Sequence, residues 1–129
     1  MTEIPPKIVV VDDEPSIVRM LQKVLDRSLG AEVQGFSSGE LGLDYFREHS
    51  AETSLIITDL RMPGMDGMEL CRHVRHLRPD VPLMMLTAYA SDETRAAADM
   101  LGVNAFIQKP FLPLEFIEVV KRVLAGERV

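Results

Sequence analysis

The chain has 129 residues, 47% of them hydrophobic and 26% charged, with 14 lysines and arginines against 20 aspartates and glutamates. This composition excludes a disordered or collagen-like chain, and the length favours a single domain. The net charge of −6 argues against direct binding of nucleic acid. The densest basic stretch, residues 72–78, is interpreted as the solvent-exposed face of a helix.

The sequence carries no signal for export or membrane insertion. Its single cysteine, Cys71, has no partner for an internal disulfide, which fits a reducing compartment. The first six residues contain Glu3 and two prolines, unlike a secretory signal peptide. The longest apolar stretch, residues 81–90, is well short of the roughly 20 residues that a membrane helix needs. We therefore expect a cytoplasmic protein that does not span a membrane.

Short apolar runs alternate with helical patterns along the chain. The first run, residues 8–11, is β-branched throughout, as expected of a strand buried on both faces of a parallel sheet. A helical pattern follows, with Pro15 near its start and Gly30 just past its end, where each residue is favoured. Further strands are predicted over residues 32–36, 55–58, 83–86 and 105–108, and further helices over residues 39–49, 67–77, 92–101 and 113–125.

This alternation predicts one α/β domain. Because crossovers between parallel strands are right-handed, five strands alternating with five helices fold into a doubly wound parallel sheet with helices on both faces. The last predicted helix leaves only residues 126–129 after it. We expect residues 1–129 to form this one domain, with no effector domain in the chain.

Polar residues stand where the predicted strands end. Asp12 and Asp13 follow the first strand, Asp59 the third, Thr87 the fourth and Lys109 the fifth. In open parallel sheets, ligands bind just beyond the carboxyl ends of the strands. We therefore expect these five side chains to converge on one crevice.

The three carboxylates indicate a metal site. They would repel one another unless a cation lay between them. Oxygen ligands favour Mg²⁺, with Mn²⁺ as the alternative, and no cysteine and histidine cluster offers the softer ligands of zinc or copper. With a metal, the Lys109 ammonium and the Thr87 hydroxyl, such a site can stabilise a phosphoryl group in transfer. Asp59 would be the nucleophile that forms an acyl phosphate, while Asp12 and Asp13 hold the metal.

The same residues form a known family pattern. An acidic pair after the first strand, the stretch D-x-x-M-P-G-M-D-G over residues 59–67, a threonine after the fourth strand and the pair Lys109-Pro110 occur in this order. Over essentially its whole length the chain resembles the response-regulator receiver domains of bacterial two-component signalling, which are chemotaxis-regulator-like. The resemblance implies a flavodoxin-like strand order of 2-1-3-4-5 and a cis peptide bond before Pro110.

The resemblance also implies a role for each residue. Asp59 would accept the phosphoryl group, which Thr87 and Lys109 would bind. Thr87 and Phe106 would form the switch, although Phe106 lacks the hydroxyl of the tyrosine that many members carry at this position. The implied metal ligands are Asp12, Asp13, Asp59 and the backbone carbonyl of Arg61.

By the same resemblance, the protein would be a phosphoprotein switch in a phosphorelay. A sensor histidine kinase or a phosphotransfer protein would transfer a phosphoryl group to Asp59 in a Mg²⁺-dependent reaction. The aspartyl phosphate would change partner binding through the face of the fourth helix, fifth strand and fifth helix, in a monomer or a phosphorylation-dependent dimer. The chain would catalyse only its own phosphorylation and dephosphorylation, so it would not be a turnover enzyme.

Two other functional classes are alternatives for this sequence. One is a phosphorylation-independent pseudo-receiver that acts only as a binding module. Phe106 motivates this hypothesis, but the presence of every polar residue expected at the strand ends argues against it. A phosphohydrolase acting on external substrates would need a general acid or base two residues beyond Asp59, where the chain has Arg61.

Several residues also have ordinary structural explanations. Taken alone, Asp13 would be the N-cap of the first helix, and Phe106 would be a core residue. Cys71 is expected to be a small buried hydrophobe, and His73 and His76 are expected on the surface, because residues 71 and 73 of one helix point in roughly opposite directions.

Overall fold

The computed structural model describes residues 4–129, so the interpretation of the chain start up to Glu3 lies outside the described residues. Five strands and five helices alternate in the described residues as predicted, and a 3-10 turn over Ser50–Glu52 was not predicted. The elements are β1 (Lys7–Val11), α1 (Pro15–Leu29), β2 (Glu32–Phe36), α2 (Gly39–His49), β3 (Leu55–Asp59), α3 (Gly67–Leu77), β4 (Leu83–Thr87), α4 (Asp92–Met100), β5 (Ala105–Gln108) and α5 (Pro113–Leu124).

The five strands form one parallel sheet in the order β2-β1-β3-β4-β5, which confirms the expected topology. β1 and β3 are hydrogen-bonded neighbours. The next strand along the chain after β1, which is β2, pairs with the opposite edge of β1, and the next strand after β3, which is β4, pairs with the opposite edge of β3. The order of the strands therefore reverses between β1 and β3. In such sheets the crevice for a ligand opens at this point.

Two hydrophobic cores lie on opposite faces of the sheet, because successive side chains of a strand point to opposite faces. Val9 and Val11 of β1 face the core formed with α2, α3 and α4. Ile8 and Val10 face the core formed with α1 and α5. All residues of β3 and β4 are buried, which accounts for the apolar runs over residues 55–57 and 83–86. Within the described residues, no helix is long and apolar enough to cross a bilayer.

The basic stretch of residues 72–78 is only partly exposed, which corrects its interpretation as a solvated helix face. Arg72, His73 and His76 are exposed as expected. Arg75 and Arg78 are partly buried, and their guanidinium groups donate to backbone carbonyls of other segments. The accepting carbonyls belong to Val81, Leu101 and Gly102 for Arg75, and to Ser50 and Thr53 for Arg78.

Gly67 begins α3 directly against the end of β3. Its N–H donates to the carbonyl of Leu60 at 2.8 Å, and a Cβ on Gly67 would collide with the backbone carbonyl of Asp59. We expect Gly67→Ala to lower the free energy of unfolding by about 3 kcal/mol, the upper end for overpacking, as measured by urea denaturation. The control is Gly126→Ala, where a Cβ meets open space. The loss of unfolding free energy there should be about 1 kcal/mol, because alanine would have to adopt a left-handed backbone conformation. Equal losses in the two variants would contradict the proposed collision.

Cys71 is fully buried on the inner face of α3, as expected. Burial raises the pKa of its thiol to about 12. Because the thiolate is the reactive form, we expect iodoacetamide to leave the native protein unmodified near neutral pH and to label it readily in urea, as seen by mass spectrometry. Labelling of the native protein at the rate of a free thiol would contradict this.

Candidate functional site

Three carboxylates meet at the carboxyl end of the sheet. Asp12 and Asp13 follow β1, and Asp59 is the last residue of the neighbouring strand β3. Oxygen atoms of the three side chains lie within 4.8 Å of one another. The structure thus brings together the three residues that the sequence placed at the ends of two adjacent strands.

Asp12 is buried and bonded through both of its carboxylate oxygens. Its Oδ1 accepts the N–H of Glu14 at 2.9 Å, and its Oδ2 accepts from Lys109 Nζ at 2.8 Å. Asp13 is exposed, and the N-cap position of α1 is occupied by Glu14. The ordinary explanation of Asp13 as the helix cap is therefore wrong, and its carboxylate is not needed to start α1.

Asp59 is only 9% exposed and lies between two donors. Its Oδ1 accepts the N–H of Leu60 at 2.7 Å, and its Oδ2 lies 3.3 Å from Lys109 Nζ. Burial raises the pKa of the Asp59 carboxyl, the charge of Lys109 lowers it and the charge of Asp12 raises it, with a net increase. The environment thus opposes the accumulation of negative charge at Asp59.

Lys109 supplies the positive charge of the site. Burial lowers the pKa of Lys109, but its hydrogen bond to Asp12 and the charges of Asp12 and Asp59 outweigh burial, so the pKa is raised. The ammonium group therefore stays charged between the two carboxylates. Three carboxylates against one ammonium still leave an excess of negative charge. Hard oxygen ligands with this excess charge fit a divalent cation such as Mg²⁺.

Thr87 ends β4 beside the crevice and is buried. Its Oγ1 accepts the N–H of Tyr89 at 3.1 Å, which leaves the hydroxyl hydrogen available to another acceptor. Its backbone carbonyl accepts the N–H of Lys109 at 2.8 Å, so the ends of β4 and β5 are tied together. The peptide bond between Lys109 and Pro110 is cis, as the resemblance implies.

Two exposed side chains meet across the loops that follow β3 and β4. The guanidinium carbon of Arg61 lies 4.5 Å from the centre of the Tyr89 ring. Both residues come two positions after a strand-end residue of the site, Asp59 and Thr87. This cation–π contact links the two loops that border the crevice.

Phe106 lies on β5, half-buried at the margin of the core that faces α4. The guanidinium carbon of Arg95, on α4, lies 4.9 Å from the centre of its ring. Sequence reasoning singled out Phe106 but missed Arg95, because only the folded chain shows that this exposed arginine covers the ring.

Comparisons with known proteins identify related sequences. The profile of the family described as "Response regulator receiver domain" matches residues 8–121. The alkaline phosphatase synthesis transcriptional regulatory protein PhoP of Bacillus subtilis is 38% identical over 123 residues, which cover 95% of this chain and 50% of PhoP. The transcriptional regulatory protein BaeR of Escherichia coli is 35% identical over 129 residues, 96% of this chain and 52% of BaeR. The chain thus spans about half the length of the curated relatives it matches.

Solved structures show the same fold. A CheY-like response regulator receiver domain protein from Methanospirillum hungatei has a TM-score of 0.89 and 30% sequence identity, over 95% of this chain and 96% of that chain. The BeF3-activated DrrB receiver domain has a TM-score of 0.82 and 29% identity, over 95% of this chain and 99% of that chain.

Proposed function

The chain belongs to the response regulator receiver domain family, and we propose that Asp59 is the residue that accepts the phosphoryl group in it. Receiver domains of this family are signalling switches of two-component systems. The observation that carries the proposal is the position of Asp59, within 4.8 Å of the carboxylates of Asp12 and Asp13 and 3.3 Å from Lys109. The phosphoryl donor would be a sensor histidine kinase or a phosphotransfer protein.

The acidic pocket supports a divalent cation in this reaction. The carboxylates of Asp12, Asp13 and Asp59, together with the backbone carbonyl of Arg61, would hold Mg²⁺ or Mn²⁺, which when bound neutralises the negative charge that gathers around the phosphoryl group. This role fits the observation that burial and the neighbouring Asp12 oppose negative charge at Asp59.

With the metal bound, the residues at the site would carry out the phosphoryl transfer as follows. A carboxylate oxygen of Asp59 attacks phosphorus, a P–O bond forms, and the bond from phosphorus to the donor breaks with its electron pair going to the leaving group. Lys109 Nζ, held by Asp12 at 2.8 Å, transfers its second hydrogen bond from Asp59 to a phosphoryl oxygen. The free hydroxyl hydrogen of Thr87 is donated to another phosphoryl oxygen. The chain would thus act on itself and not on external substrates.

Signal output would use the face formed by α4, β5 and α5, which contains Phe106. Movement of Thr87 toward the phosphoryl group would let the Phe106 ring change position, and a downstream protein would detect the difference, with the domain acting as a monomer or a phosphorylation-dependent dimer. No observation in the described structure favours a pseudo-receiver, since Asp12, Asp13, Asp59 and Lys109 are all present and close together. The cytoplasmic location stays a prediction.

The test is phosphorylation by a small donor. The protein is incubated with acetyl phosphate and Mg²⁺ and its intact mass is measured, with EDTA in a parallel sample. We expect one added phosphoryl group with Mg²⁺ and none with EDTA. A protein that stays unmodified with acetyl phosphate and also fails to bind beryllofluoride would overturn the proposal.

Asp13 offers a specific test of the metal site, because its exposed side chain does not cap α1. We expect Asp13→Asn to weaken Mg²⁺ binding by about tenfold or more, as measured by calorimetric titration, with little change in thermal stability. The matched control is Glu14→Gln, which removes the adjacent exposed carboxylate from outside the cluster. Equal Mg²⁺ affinities in the two variants would remove Asp13 from the set of ligands.

A further inference from the structure

Helix α4 is the least anchored of the five helices. Ala98 is its only buried residue, whereas α3 buries five residues and α5 buries four. Grooves of about 380 Å³ and about 310 Å³ run beside α4, toward α3 and toward β5 respectively. Because one small side chain contributes little hydrophobic free energy, burial alone holds α4 weakly in place.

Two arginines hold the carboxyl end of α4 instead. Arg75 of α3 donates to the carbonyls of Leu101 and Gly102 at 2.7 and 2.9 Å. Arg128, after α5, donates through Nη2 to the carbonyl of Asp99 at 3.0 Å. Asp99 lies in the last turn of α4, and Leu101 and Gly102 directly follow the helix. Carbonyls at this end of a helix carry partial negative charge, so cationic donors stabilise them.

Arg128 belongs to a short segment, Glu127–Val129, that we call the clasp segment. It follows Gly126, whose φ of 92° turns the chain away from α5. The N–H of Val129 donates to the carbonyl of Asn104 at 2.7 Å, and Nδ2 of Asn104 donates to the carbonyl of Glu127 at 3.3 Å. The clasp segment therefore connects the start of β5 with the end of α4.

The clasp segment also borders the groove that contains Phe106. Val129, Phe106 and Arg95 line this groove together, and Arg95 covers the Phe106 ring. The segment thus contacts α4, which belongs to the proposed output face, and the surroundings of Phe106, whose ring the proposed switch would move.

We propose that the clasp segment restrains the switch. It binds α4 and β5 in the conformation in which Lys109 bonds directly to the Asp59 carboxylate, and it is released when Asp59 carries a phosphoryl group. This inference rests on the proposed function. Linkage is reciprocal, so if phosphorylation weakens the clasp, breaking the clasp strengthens the binding of a phosphoryl mimic by the same factor.

The test uses a double variant in the full chain. Val129→Pro removes the N–H that Asn104 accepts, and Arg128→Ala removes the bond to the Asp99 carbonyl. Val129→Ala, which keeps the N–H, and Arg27→Ala, which removes an exposed arginine of α1, are the controls. Beryllofluoride is titrated in the presence of Mg²⁺ and followed by amide chemical shifts. The double variant should bind it about fivefold more tightly than the wild type, and the controls should match the wild type.

Hydrogen exchange without beryllofluoride supplies an independent readout. The amides of α4 should exchange faster in the double variant, while those of α3 should not change. Equal beryllofluoride affinities in the double variant and the wild type would overturn the clasp as a restraint on the switch, and so would unchanged exchange in α4. If neither protein binds beryllofluoride, the proposed function itself fails, and exchange in α4 alone then decides whether the segment holds this helix.

Discussion

Asp59→Asn is expected to abolish phosphorylation by acetyl phosphate while leaving the domain folded. The amide has nearly the shape of the carboxylate, and its oxygen can still accept the Leu60 N–H, but it lacks the negative charge that the proposed roles of nucleophile and metal ligand require. Intact mass spectrometry should show no phosphorylated species in the variant under conditions that modify the wild type.

The matched control for this variant is Asp66→Asn. Asp66 caps α3 through a hydrogen bond from the N–H of Glu69 at 2.8 Å, and asparagine caps helices equally well. This control should be phosphorylated like the wild type. Phosphorylation that persists in Asp59→Asn, located by peptide mapping at another carboxylate, would show that the acceptor is wrongly assigned.

Lys109→Met is expected to destabilise the protein strongly in the absence of divalent metal. Lys109 Nζ lies 2.8 Å from Asp12 and 3.3 Å from Asp59, and all three side chains are mostly buried. Removing one partner of a buried ion pair leaves uncompensated charge, which costs about 3–5 kcal/mol. Urea denaturation in EDTA should show a loss of this size.

Mg²⁺ should restore part of that stability, because a bound cation replaces the missing positive charge. The gain in stability on adding Mg²⁺ should therefore be larger in Lys109→Met than in the wild type. The control is Lys121→Met, where the exposed Lys121 lies 3.6 Å from Glu118 and the change should stay within about 0.5 kcal/mol. If both lysine variants lose the same small amount, Lys109 does not hold the two carboxylates together.

Part of the site could be predicted from the residues at the strand ends. The carboxyl ends of β1 and β3 must be neighbours once the strand order is known, so the meeting of Asp12, Asp13 and Asp59 could be predicted. Which oxygen binds which donor could not be predicted. Lys109 bonds to Asp12 across 97 residues of sequence, and that contact depends on how β5 is positioned, with two strands between it and β1.

The type and bounds of the helices and strands could be predicted from the sequence alone because they depend on local interactions. A β-branched run such as residues 8–11, Pro15 at the start of α1 and Gly30 at its end act through the backbone conformation of a few consecutive residues. The observed bounds consequently lie within one or two residues of those expected from periodicity for most elements.

Tertiary structure decided the contacts between distant segments. The partial burial of Arg75 and Arg78, the position of Arg95 over Phe106 and the contact of Arg128 with the end of α4 all join residues that the sequence places in separate elements. Each of these arginines has a polar side chain, which periodicity predicts to lie on the surface, because periodicity indicates only which face of a helix is apolar. Its partner is a carbonyl or a ring that packing brings within reach, so the contact exists only once the helices are placed on the sheet.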